Sequence, residues 1–219
     1  IQNKNFNNKK CLLRLDLNIP LSESGEILDD TRIIESKPSI DFLIDQGAKV
    51  IIISHIGRPN GEYVENLSFV KLLSEIEYKI NRKIVFIDFE QQLDILNIID
   101  SHEKGTLFML ENLRFNPGEE NNDENFIEFL SSFADVYIND GFGTIHRNHA
   151  SITGIASILK SYGGILLEKE IQNISECILS KSKKSTAILG GAKISDKIPI
   201  IENLSKSFDN VVITGGMIR

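Results

Sequence analysis

Five of the chain's seven arginines follow, or stand on the polar face of, segments that read as β-strands. Arg14 lies within the first such segment, and Arg32 sits just beyond it in "DDTR". Arg58 follows the second in "SHIGRP", Arg114 the fourth in "ENLRFNPGEE", and Arg147 the fifth in "NDGFGTIHRNHAS". Three of the four histidines, His55, His146 and His149, share these segments. Guanidinium groups present planar, paired donors matched to carboxylate and phosphate, so a set of them could grip a small polyanion. A lone loop arginine is more often a surface or salt-bridging residue. The grouping is what points to a site, because the helical segments carry mostly Lys. In "CLLRLDLNIP", Leu13, Leu15 and Leu17 alternate at period two with Arg14, Asp16 and Asn18. A half-exposed edge strand would explain that polar file; so would one wall of an anion pocket, with Asp16 and Asn18 holding hydroxyls of a polyol-like ligand.

The elements that must position these groups alternate along the chain. Strands are predicted over Cys11–Leu17, Lys49–Ser54, Lys83–Asp88, Thr106–Leu110, Val136–Asn139, Gly164–Leu167, Thr186–Leu189 and Val211–Thr214. Most are short and apolar throughout, the pattern of strands covered on both faces. Helices are predicted over Ser39–Gln46, Ser68–Asn81, Gln91–Asp100, Glu124–Phe133, Ile152–Leu159, Glu168–Leu179 and Ile198–Phe208. Gly47 is read as a helix stop, Asp123 as an N-cap, and Pro199 as a first-turn residue. The alternation implies an α/β fold, a doubly wound parallel Rossmann-like sheet with right-handed crossovers and helices on both faces. Ligands of such sheets bind beyond the carboxyl ends of the strands, where loops after different strands converge. "SKSKKS", residues 180–185, reads as a linker, so an incomplete second α/β domain is expected after it. The expected divisions are 1–167, 168–185 and 186–219.

The 219 residues carry a net charge of −7, with 41% hydrophobic and 25% charged residues. That balance suits a chain able to bury a core, and argues against nucleic acid as main partner. Cys11 and Cys177 both fall in apolar-periodic segments and are expected as buried free thiols, in keeping with a reducing, cytoplasmic setting. No apolar run reaches the roughly 18 residues of a membrane span. P-loop, G-x-G-x-x-G, G-x-S-x-G and metal-spaced Cys/His patterns are all absent. The remaining Gly-rich element is "AILGGAKISDK", where backbone N–H groups, Lys193 and Lys197 could meet an anion. Ile1 in place of Met, and a chain that stops just after a strand, predict a piece of a longer product.

Taken in order, "RLDLNIP", "DDTRI", "SHIGRP", "LENLRFNPGEE", "DVYINDGFGTIHRNHAS", "GILLEKE" and "AILGGAKISDKI" resemble the phosphoglycerate kinase family, from about Cys11 to Met217. The resemblance implies two Rossmann-like domains across a hinged cleft. The first would hold 3-phosphoglycerate or 1,3-bisphosphoglycerate, and the second ADP or ATP with its Mg²⁺. It implies that Asp16 and Asn18 meet the glycerate part, and that Arg32 lies beside the carboxylate and the phosphoryl group in flight. His55, Arg58, Arg114 and Arg147 would grip the 3-phosphate end, with Arg14, His146 and His149 lining the patch. Lys193 and Lys197 would approach the nucleotide phosphates, and Arg32, Lys193 and Lys197 would be the catalytic set. Glu168–Leu179 matches the interdomain helix, and the family implies a monomer. Its reaction needs no base: in the ATP-consuming direction the nucleophile is a carboxylate with an unperturbed pKa of about 3.5, ionised near neutrality. The family's chain is about twice as long. A module that binds 3-phosphoglycerate without turnover is therefore the alternative expectation; a nicotinamide enzyme would fit the fold but not the missing glycine fingerprint.

Overall fold

The computed structural model describes residues 1–89, 94–179, 184–191 and 195–218. They divide into two compact units, Ile1–Glu168 and Lys169–Arg219.

The first unit is built on six strands: β1 (Lys10–Arg14), β2 (Lys49–Ile53), β3 (Val85–Ile87), β4 (Leu107–Leu110), β5 (Val136–Asn139) and β6 (Ser161–Gly163). Every pairing is parallel, in the order β3-β4-β2-β1-β5-β6. Side-chain alternation explains why the interiors of β1, β2, β4 and β5 are apolar on both faces. Leu13, Val50, Ile52, Leu107, Met109 and Ile138 join one buried cluster, together with residues of α1 (Thr31–Asp45) and α2 (Phe69–Ile80). Leu12, Ile51, Ile53, Phe108, Leu110 and Tyr137 join another, with α3 (Ile95–Ser101) and α5 (Glu124–Ser132). The short α4 (Pro117–Asn121) precedes α5, and a π-turn, Ala150–Gly154, leads into α6 (Ile155–Ile158). Asp123 caps α5 as expected, accepting the Phe126 N–H at 3.0 Å.

Three expectations are corrected. Helix α1 begins eight residues before Ser39, with Pro38 inside it. Ile33, Ile40, Leu43 and Ile44 bury one stripe of it, and that packing outweighs the roughly 3 kcal/mol that an interior proline costs. The strand expected at Gly164–Leu167 is Ser161–Gly163 instead, and α7 (Ile165–Leu179) starts at once. Its orphan N–H groups explain the early turn: Ile165 N–H donates to Ser39 Oγ at 2.9 Å and Leu167 N–H to Asp140 Oδ1 at 2.9 Å. Gly164 permits this approach, since a Cβ there would stand 2.1 Å from Asp140 Oδ1. Third, Cys11 is a buried free thiol but Cys177 is exposed, on a stretch of α7 whose Ile171 and Ile174 are also exposed.

In the second unit β7 (Thr186–Gly190) and β8 (Asn210–Thr214) pair in parallel around the crossover helix α8 (Ile198–Ser207). Met217 is buried there, while Ile188, Ile198 and Val212 are exposed. No helix among the described residues is long and apolar enough to cross a membrane. Lys193 and most of the expected linker lie outside the described residues.

Candidate functional site

The chain segments leaving β1, β2, β4 and β5 at their carboxyl ends carry the predicted groups to one rim of the sheet. Arg14 is the last residue of β1 and is 1% exposed. Its guanidinium donates through Nε to Ser151 Oγ at 2.9 Å, through Nη1 to Leu15 O and to Ser54 Oγ (3.3 Å), and through Nη2 to His55 Nδ1 at 2.9 Å. A buried cation is tolerable only with its donors satisfied, and here all three nitrogens are. Arg14 therefore forms the floor of the site, a role its place in the polar file of "CLLRLDLNIP" did not predict.

Burial and the charges of Arg14, Arg114, Arg147 and His149 push the His55 imidazole down to about 2. Arginines from three chain segments thus meet around it. Arg114 is buried, donating through Nη1 to Gly57 O at 2.7 Å and pairing through Nη2 with Glu120 at 3.0 Å. Burial also pulls its own pKa down. The Nε–H groups of Arg114 and Arg147 are buried without an acceptor, so the patch retains donor capacity beyond what the protein satisfies.

Asp16 pairs with Arg32 of α1, and its Oδ1 accepts the Asn18 N–H at 3.3 Å. Asn18 Oδ1 in turn accepts the Gly57 N–H at 2.9 Å. One peptide segment at Gly57 thus links the Asp16–Asn18–Arg32 side of the rim to Arg114. Gly57 has φ +65°, and a Cβ would stand 2.7 Å from Leu67 Cδ1, so only glycine fits. Asn18, Thr31, Arg32 and Asp29 line a depression at this end, closed by Ile19 and Pro20. Arg58 and His146 are exposed. Lys197 ends a short 3-10 turn before α8, in the other unit.

Four positioning groups carry no signal of charge clustering and escaped the sequence reading. Ser54 Oγ donates to Leu15 O at 2.8 Å and accepts the Leu17 N–H at 2.9 Å, tying β1's exit to β2's. Asn112 binds both polar atoms of Ile56, holding the loop after β4 against the loop after β2. Glu119 and Ser151 form the third link: Ser151 donates its N–H to Glu119 Oε2 at 3.0 Å and its hydroxyl to Oε1 at 2.6 Å. Burial alone would raise the Glu119 carboxyl, but His149, Arg14 and Ser151 outweigh it and hold it below the usual range. A buried Glu in "NPGEE" could have been suspected from its place beside a capped Pro-Gly turn; Ser54 and Ser151 offered nothing to read.

Among the described residues, no three His, Cys, Asp or Glu side chains stand together as a metal-ligating set. The arrangement suits binding and charge neutralisation: clustered donors over a buried arginine, with a carboxylate and an amide at one end.

Comparison with known proteins points to one family. The phosphoglycerate kinase family model matches residues 1–219. The phosphoglycerate kinase of Moorella thermoacetica is 42% identical over 212 residues, covering 97% of this chain and 54% of that protein. That of a Wolbachia strain from Drosophila simulans is 41% identical over 217 residues, again covering 54% of the relative. Among solved structures, phosphoglycerate kinase from Pyrococcus horikoshii OT3 superposes with TM-score 0.87 at 32% identity, covering 98% of this chain and 55% of that one. The Coxiella burnetii structure gives 0.84 at 34%, covering 98% and 54%. The chain spans about half the length of the relatives it matches.

Proposed function

The chain belongs to the phosphoglycerate kinase family, and from that premise we propose that it serves reversible phosphoryl transfer between 1,3-bisphosphoglycerate and ADP, giving 3-phosphoglycerate and ATP. In this reading the first unit holds the phosphoglycerate. The observation that carries it is the convergence of Arg14, Arg114, Arg147 and His149 around a His55 whose pKa they depress. A group in that position is surrounded by a field made for an anion.

His55, Arg58, Arg114 and Arg147 take the phosphate end, over the floor made by Arg14 and beside His146 and His149. Asp16 and Asn18 take the glycerate hydroxyl. Arg32 is held by Asp16, so it is preset beside the place where a substrate carboxylate would compete for it. In the ATP-consuming direction the nucleophile is the substrate carboxylate, ionised without help, and the barrier to be met is electrostatic: two polyanions must approach. Arg32, Lys193 and Lys197 would supply the cations for that. Mg²⁺ would neutralise nucleotide phosphates and arrive with them. Among the described residues no three His, Cys, Asp or Glu side chains stand together to hold it.

The chain's length relative to its relatives favours a second reading, capture of 3-phosphoglycerate without turnover. Calorimetric titration of the 219-residue chain with 3-phosphoglycerate tests the shared part. One-site binding is expected, weakened by salt and lowered at least tenfold in Arg147→Ala, the scale of a hydrogen bond to a charged group. Heat-silent titration with no ligand-induced protection of the rim would overturn both readings. An ADP-release assay with ATP then separates them, since turnover excludes the capture module.

A further inference from the structure

Glu119 is fully buried in α4. Its two oxygens hold Ser151 by the backbone N–H and by the hydroxyl. A hydroxyl has one proton. Once that proton is given to Glu119, Ser151 Oγ can only present a lone pair to Arg14, and it accepts from Nε at 2.9 Å. The guanidinium is planar, and Nη1 is fixed on Leu15 O and Ser54 Oγ, so Nη2 has one direction left. It reaches His55 Nδ1 at 2.9 Å. Arginine donates and cannot accept, hence Nδ1 is unprotonated and the imidazole proton sits on Nε2.

We propose that Glu119 is a positioning residue which, through Ser151 and Arg14, fixes His55 as the neutral Nε2–H tautomer, so that the anion site receives a hydrogen-bond donor there and not a cation. This deepens the functional reading and rests on it only for the identity of the anion. His55 is faced by Arg14 from β1, Arg114 from the turn after β4, and Arg147 and His149 from the loop after β5. Glu119 on α4 faces Arg14, His149 and Ser151. Three arginines already supply the charge, and their field opposes a fourth cation at His55. The depressed imidazole pKa agrees with that arrangement.

Nitrogen-15 NMR of the histidine side chains in the 219-residue chain reads the tautomer directly. Between about pH 5.5 and 8, His55 Nδ1 is expected to keep the shift of an unprotonated ring nitrogen and Nε2 that of a protonated one. In Ser151→Ala and Glu119→Gln, each checked for a folded methyl spectrum, the tautomer preference is expected to be lost. 3-Phosphoglycerate affinity should fall about tenfold, and binding should acquire a new dependence on pH in that range. A protonated Nδ1 in the unaltered chain overturns the relay, and so do folded variants with unchanged His55 shifts. Variants that do not fold leave the unaltered spectrum to decide. The predicted tautomer without any phosphoglycerate binding would leave the relay standing and overturn the reading of the ligand; binding with the other tautomer would do the reverse.

Discussion

Ile52 and Ile188 both sit mid-strand in a parallel sheet, one in β2 and one in β7, yet they are 1% and 72% exposed. β2 lies between β1 and β4, under helices on both faces, so Val50 and Ile52 enter one core and Ile51 and Ile53 the other. β7 pairs with β8 alone among the described strands, and its residues alternate between half-buried and exposed. A mid-strand isoleucine therefore has different energetic meaning in the two units. In the first it supplies a rigid sheet edge from which site residues project; in the second it stabilises little. The contrast can be broken by substitution. Ile52→Ala should cost about 2–5 kcal/mol in urea unfolding of the first unit, and Ile188→Ala should stay within about 0.5 kcal/mol. Comparable losses at both positions would mean that β7 is covered in solution.

How much of this could be read from the chain differs between the two kinds of residue. Apolar runs such as "KVIII" and "VYIN" announce their strands, because only burial on both faces calls for such runs. The rim arginines were legible for the converse reason: repeated cations after strands have no packing use. What was hidden depended on tertiary contacts. Pro38 masked the first half of α1, whose buried stripe is visible only once α1 packs on the sheet. The early start of α7 follows from Ser39 and Asp140, which accept the Ile165 and Leu167 N–H groups from 126 and 27 residues away. Arg14 was placed in the patch by its position on the first strand and by resemblance, but its burial beneath His55 was not foreseeable from a strand that reads as half polar.

Acid titration sharpens the same comparison, because the first unit buries a histidine under arginines. The folded-state pKa of His55, about 2, lies below its ordinary 6.5. Its contribution to stability is thus fully present above 6.5 and is lost progressively as pH falls from there toward 2. At one and a half pH units below 6.5 the loss is about 2 kcal/mol. The window between about pH 7.5 and 5 precedes most carboxylate titration. Asp140, raised chiefly by burial, acts with the opposite sign as it protonates. The urea midpoint of the first unit should therefore fall across that window, and His55→Gln should flatten the slope. An unchanged slope in the variant would remove His55 as the cause.

The smallest expected effect concerns helix starts. Helix α5 begins at Asp123, whose carboxylate accepts the Phe126 N–H at 3.0 Å. Helix α8 begins after Lys197, which offers no side-chain acceptor and relies on a first-turn proline instead. Lysine has donors only, so it cannot satisfy the free N–H groups at a helix start. Asp123→Ala should accordingly cost about 1 kcal/mol, whereas Lys197→Ala should leave stability unchanged. Denaturant unfolding of both variants measures the difference directly. If Lys197→Ala lost as much as Asp123→Ala, Lys197 would be making a structural contact, and its proposed availability to nucleotide phosphates would have to be given up.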